Sequence, residues 1–155
     1  MLAGCGGGGD STAVFVRAQD GLGRIRSGSV STHLTVHALV PIERSAEFPA
    51  TAFPLSKLHL TRWIEHPRRL ACASGLECAR ADLDVKAALR DLDSLLPSLP
   101  VDPASIHSAR VDVAVSRVGR LPRWLRLHGE VDPGGLFPGT VPFDLDVSLN
   151  RVRAG

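Results

Sequence analysis

From Val141 to Asn150 the chain alternates without a break. Val141, Phe143, Leu145, Val147 and Leu149 fall on one side; Pro142, Asp144, Asp146, Ser148 and Asn150 fall on the other. Successive side chains of an extended chain point to opposite faces, so this segment predicts a strand with one face buried and one wet. The pattern recurs. Between Ser29 and Val40 it sets Val30, Leu34, Val36, Ala38 and Val40 against Ser29, Ser31, His33, Thr35 and His37. Ala79, Ala81, Leu83 and Val85 oppose Cys78, Arg80, Asp82 and Asp84. Val111, Val113 and Val115 alternate with Asp112, Ala114 and Ser116. After a turn at Gly119, Leu125, Leu127 and Val131 face away from Trp124, Arg126, His128 and Glu130. Strands buried on both faces read as continuous apolar runs. Strands at 29–40, 79–85, 111–117, 124–131 and 141–149 therefore predict one antiparallel sheet of about five or six strands, wetted on one side.

Two segments carry the helical period instead. Residues 12–26 place Val14, Ala18, Leu22 and Ile25 on one stripe, weakened by Gly21 and Gly23 at about 1 kcal/mol each. Asp84 is placed to cap a helix over 85–96, with Val85, Ala88, Leu89, Leu92, Leu95 and Leu96 as its apolar stripe. Pro97 and Pro100 end it, and Asp102-Pro103 predicts a short helical turn. The proline-rich 41–57 stretch reads as an irregular crossing or an edge segment. Leu58–Leu60 reads as a short strand, and Thr61 as the cap of one turn stopped before Pro67. The fold class is α+β, with helices packed on the apolar side of the sheet.

The 155 residues suit one domain, which the pattern places at 12–155. A composition 44% hydrophobic and 22% charged argues against disorder. The net charge of +2, with acids and bases interspersed, gives no nucleic-acid footprint. No apolar run approaches the ~18–20 residues of a membrane-spanning helix.

The sharpest local signal is at the start. Leu2-Ala3-Gly4-Cys5 resembles a bacterial lipobox, in which the cysteine receives a lipid and the preceding leader is cut after small residues. The Gly/Asp/Ser tract that follows makes residues 1–11 a flexible tether. On this reading Cys5 is the lipid attachment site and the domain stands on the outer face of the cell membrane. The basic and apolar parts of a signal peptide are missing, either because the true start lies upstream of Met1 or because the segment was trimmed. The alternative is a Gly-rich disordered start that contains a cysteine by chance.

Export would place Cys72 and Cys78 where disulfides persist. Gly75 between them can supply the tight turn that brings the sulfurs together. Free thiols or a metal site with His66 are the alternatives. Five intervening residues exceed the two to four usual between paired zinc cysteines, and no fourth ligand is evident.

Catalytic patterns are sparse. His33 and His37 share a strand face but stand roughly 13 Å apart, too far to hold one ion. The pairs Asp144/Asp146, Asp82/Asp84 and Asp91/Asp93 read as solvated faces. There is no Gly-x-Ser-x-Gly elbow and no metalloprotease motif, and the Gly6–Gly9 run precedes no strand–helix unit that could cradle phosphate. The expectation is a chain without catalysis, metal or cofactor. Arg62, Arg68 and Arg69 around Trp63 form a basic cluster with an aromatic, which reads either as a solvated turn or as a surface that rests against anionic headgroups or teichoic-type polymers.

Taken together, the lipobox and tether, a first helix, the Ser-rich strand Gly28-Ser-Val-Ser-Thr-His-Leu-Thr-Val, a strand running directly into a helix (Asp82-Leu-Asp-Val-Lys-Ala-Ala-Leu-Arg-Asp-Leu) and closing hairpin strands resemble the LppX/LprAFG lipoproteins of high-GC Gram-positive envelopes. The resemblance covers residues 5–40 and 77–150; the 41–78 segment is shorter than the family's strand-rich middle. It implies a curved sheet, or half-barrel, with helices on its concave face and an acyl-lipid or glycolipid ligand between them. Two helices underfill the apolar side of such a sheet relative to the usual packing density of about 0.74. The gap would be lined by Leu34, Val36, Val113, Val115, Leu125, Leu127, Phe143, Leu145 and Val147. The alternative is an envelope interaction module whose core is filled and which binds no ligand.

Overall fold

A computed structural model describes residues 7–52, 55–95, 105–132 and 139–154. Their order is α1 (Gly7–Arg24), β1 (Ile25–Val36), β2 (Ile42–Pro49), short 3-10 turns at Ala50–Ala52 and Leu55–Lys57, α2 (Leu60–Trp63), β3 (Ile64–Leu70), β4 (Leu76–Leu83), α3 (Val85–Leu95), β5 (Ile106–Ser116), β6 (Pro122–Val131) and β7 (Val141–Ala154). The fold is α+β. Its one open antiparallel sheet has seven strands in the order β2-β1-β7-β6-β5-β4-β3, more than the five or six expected.

Both additional strands lie at sheet edges. β2 comes from the proline-rich stretch and keeps Pro49 only at its end. β3 contains Pro67 itself, which an edge strand tolerates because one side of its backbone has no ladder to lose. The β3–β4 ladder breaks between Glu65 and Arg68, where His66 takes a positive φ of 53°. These features break the alternation, so β3 gave no strand signal; the single helical turn expected over 62–65 is present as α2, with Ile64 and Glu65 already in β3. Leu58–Leu60 is likewise not a strand, because Leu60 opens α2. Thr61 lies inside that helix rather than at its cap, and its Oγ1 donates to Gln19 Oε1 at 2.9 Å. The expected turn at 101–104 lies outside the described residues.

α1 begins at Gly7, inside the segment read as a tether, and ends at Arg24. Ser11, Val14, Phe15, Ala18 and Leu22 are all buried, a 3–4 spacing that makes one stripe. Ile25, read as the last residue of that stripe, is instead the buried first residue of β1. Gly21 sits where α1 meets the start of β6. A Cβ there would lie 2.6 Å from Pro122 Cδ and 2.8 Å from the Arg120 carbonyl oxygen, so close approach explains a glycine that costs helix propensity.

α1 lies chiefly against β3, β4 and β5. Its stripe joins Ala79, Ala81, Val111, Val113, Val115, Leu60 and Trp63 in one core cluster. Asp84 caps α3 as expected, accepting from the Ala87 amide at 3.2 Å. α2 and α3 are tied together because Trp63 Nε1 donates to Asp91 Oδ2 at 2.7 Å.

β1 stops at Val36, four residues short of the expected end. The chain turns toward β2 there, which leaves Leu39 and Val40 at 90% and 78% exposure. Ala38 and Val40 therefore belong to no sheet face.

Candidate functional site

The register collects the predicted pocket residues on one face of the sheet. Leu34, Leu145, Leu127 and Val111 lie side by side across β1, β7, β6 and β5. Toward one end of the strands the neighbouring row is Val36, Phe143 and Gly129; toward the other it is Thr32, Val147, Leu125 and Val113. Val115 lies one step further, opposite Pro122. Burial splits the set. Val113 and Val115 are fully buried and Leu127 nearly so, beneath the region where α1 packs. Leu34, Val36, Leu125, Phe143, Leu145 and Val147 are only half-buried. Ile42, opposite Val36 at the β2 edge, is 45% exposed. The apolar face is thus closed over β4 and β5 and partly open over β7 and β1.

The opposite face is polar in equally regular rows. His128, Asp144, Thr35 and Glu43 form one; Arg126, Asp146, His33 and Ser45 the next; Trp124, Ser148, Ser31 and Glu47 the third. A shallow groove of about 350 Å³ crosses this face, lined chiefly by Ser31, His33, Ser45, Glu47, Asp146 and Ser148. His33 Nδ1 and Ser45 Oγ are hydrogen-bonded at 2.6 Å, and Asn150 Nδ2 donates to Ser31 Oγ at 2.9 Å. The Arg126 guanidinium lies 4.2 Å from the centroid of the Trp124 ring and 3.5 Å from Asp146 Oδ1.

Asp144 is shared by two imidazoles, one oxygen 2.9 Å from His37 Nε2 and the other 2.5 Å from His128 Nδ1. These contacts, the His128 bond first, hold its carboxyl below the ordinary value. His33 and His37, expected as separate surface groups, thus part company, and Asp144, expected on a solvated face, is the residue that His37 meets. His37 lies beyond the end of β1, so strand alternation gave no signal for its contact. Arg80 forms a bidentate pair with Asp112 at 2.7 and 2.9 Å, which raises the guanidinium pKa. Among the described residues, no three His, Cys, Asp or Glu side chains are set to hold a metal.

Cys72 and Cys78 form a disulfide pair with a Cα–Cα distance of 6.1 Å, closing the β3–β4 hairpin. Gly75 supplies the turn with a φ of +86°, a conformation that side-chain-bearing residues rarely adopt. Of the two readings of the basic cluster, the one that needs Trp63 at the surface is not met. The indole is buried at 1% exposure and bonded to Asp91, while Arg68 pairs with Asp82 at 3.3 Å. Cys5 and the rest of the lipobox lie outside the described residues.

The architecture defines an α+β protein with an open, two-faced antiparallel sheet. No protein-family model matches the chain, and comparison with curated proteins finds no match.

Proposed function

We propose that this chain is a membrane-anchored, extracytoplasmic lipoprotein that holds the acyl part of a lipid or glycolipid against the apolar face of its sheet, without catalysis. The observation that carries this reading is the half-open apolar strip of Leu34, Val36, Phe143, Leu145 and Val147 beside a closed core. Monomeric proteins tend to keep contiguous apolar surface small or functional. The strip has no charged side chain of its own, so it would select by shape and apolar area, at roughly 25 cal/mol per Å² of acyl surface covered. The resemblance to the LppX/LprAFG lipoproteins supports a curved sheet with helices on its concave side and the ligand between them. The Cys72–Cys78 pair fits an exported domain, since disulfides persist outside the reducing cytoplasm. Anchoring through a diacylated Cys5 accounts for Leu2-Ala3-Gly4-Cys5.

The test uses protein with its own leader, expressed in a host that lipidates exported proteins. Native mass spectrometry of detergent-extracted protein should find acyl lipid bound noncovalently, and Leu145→Trp should remove it while leaving the circular dichroism spectrum unchanged. Cys5→Ala should shift the domain to the soluble fraction. Lipid-free protein, with no uptake of a fluorescent fatty acid, would leave only the interaction-module reading. Membrane retention of Cys5→Ala would refute the anchor.

A further inference from the structure

We propose that the polar face of the sheet, between β6 and β2, is a carbohydrate-binding surface. It lies opposite the acyl strip and does not depend on the lipid reading. The groove there presents two carboxylates, Asp146 and Glu47, one imidazole, His33, and three hydroxyls, Ser31, Ser45 and Ser148. Beside it Trp124 occupies the same cross-strand row as Ser148, with the Arg126 guanidinium stacked over one face of its indole, so that a sugar would meet the other face. Arg126 also reaches Asp146 at 3.5 Å, so an ion pair ties the stacked pair to the groove.

This set of groups selects against most other ligands. The carboxylates disfavour a phosphate or an acidic peptide. No metal-holding cluster is present among the described residues. The groove offers an acyl chain no large apolar side chain. A sugar ring fits, because its hydroxyls both donate and accept. A carboxylate can take two such donors, serine hydroxyls serve either role, and a planar aromatic packs against the ring's C–H face.

The spacing agrees. Side chains in one row stand about 5 Å apart across the strands, and those in successive rows about 7 Å apart along them. Polar groups therefore recur at intervals suited to successive hydroxyls around one or two rings. The groove's 350 Å³ falls at the small end of ligand-site volumes, which run roughly 300–1,000 Å³. Among the described residues, the side chains of Ser148 and Glu47 line it without a hydrogen bond or ion pair, leaving both able to take a ligand.

The experiment is an NMR titration of the full isotope-labelled chain with mannohexaose, cellohexaose and chitohexaose. At least one should give saturable shifts of the Trp124 indole N–H and of the His33, Asp146 and Ser148 amides. Trp124→Ala and Asp146→Asn should each weaken that binding about tenfold or more. Leu145→Trp, on the opposite face, should leave it unchanged. Should Trp124→Ala disturb β6, Glu47→Gln on the exposed edge strand gives the same test without touching packed residues. Absence of shifts with all three sugars at millimolar concentration overturns the proposal. So does binding that is equally tight in properly folded Asp146→Asn and Glu47→Gln.

Discussion

Asp144 draws together three strands' worth of sequence. It stands on β7, accepts from His128 on β6 and from His37 just past β1, and its side chain keeps 40% exposure. The His128 bond and then the His37 bond lower its carboxyl pKa from 3.8, against an opposing push from partial burial. A carboxyl whose folded pKa is depressed stabilises the fold fully above its unfolded pKa. That contribution disappears as pH falls through the lower folded value. Asp144→Asn should therefore cost stability at neutral pH, and the gap should close in acid below the ordinary carboxylate range. Because the pair is exposed, the cost should be small, about 0.5–1 kcal/mol. Urea unfolding midpoints measured from neutral pH down into strong acid would check this. A gap that stays constant across that range would count against the role. The sequence pattern identified the face on which Asp144 lies, through its alternation with Phe143 and Leu145. It did not identify the partners, since His37 is 107 residues away and outside any regular strand.

At the scale of elements, the helix stripe and the central strands were legible because each repeats a period over many residues. Val14, Ala18 and Leu22 marked the buried side of α1 correctly, and Asp84 marked the start of α3. Phe15, fully buried, was missed because an i, i+4 count begun at Val14 steps over it. The edge strands were less legible for a different reason: prolines interrupt the alternation that defines a strand, and edges are where proline is tolerated. The 41–57 stretch could therefore be read only as a crossing or an edge segment, of which β2 is the second, and β3 gave no strand signal. Phe15 is fully buried and belongs to the same core cluster as Val113, Val115 and Trp63. Truncation to alanine leaves a cavity that a close-packed interior closes only partly, so Phe15→Ala should destabilise by about 3–5 kcal/mol. In a domain of this size each kcal/mol lowers the melting temperature by about 2–4 °C. Calorimetry would show the shift, and a loss under 1 kcal/mol would mean that α1 is not a cooperative part of the core.

Across the whole molecule the sheet is asymmetric in cover. Its order places the last strand, β7, between β1 and β6, so the first and last strands pair directly. No local pattern foretells that adjacency, which is why the two faces could be read from sequence and the strand order could not. The consequence is a gradient of protection. β4 and β5 lie under α1, with Ala79, Ala81, Val111, Val113 and Val115 fully buried, whereas β2 at the far edge has every residue exposed except half-buried Phe48. Amides open locally with free energies that follow buried contacts, so hydrogen exchange should be slowest in β4 and β5 and fastest in β2, with β1 and β7 between. Uniform protection across all seven strands would show that the apolar strip is covered in solution and would remove the opening on which lipid binding depends. Adding a lipid whose acyl chain lies on Leu34, Phe143 and Leu145 should slow exchange in β1, β7 and the adjoining part of β6. β4 should stay unchanged, because its apolar residues are already out of water and have no further contact to gain.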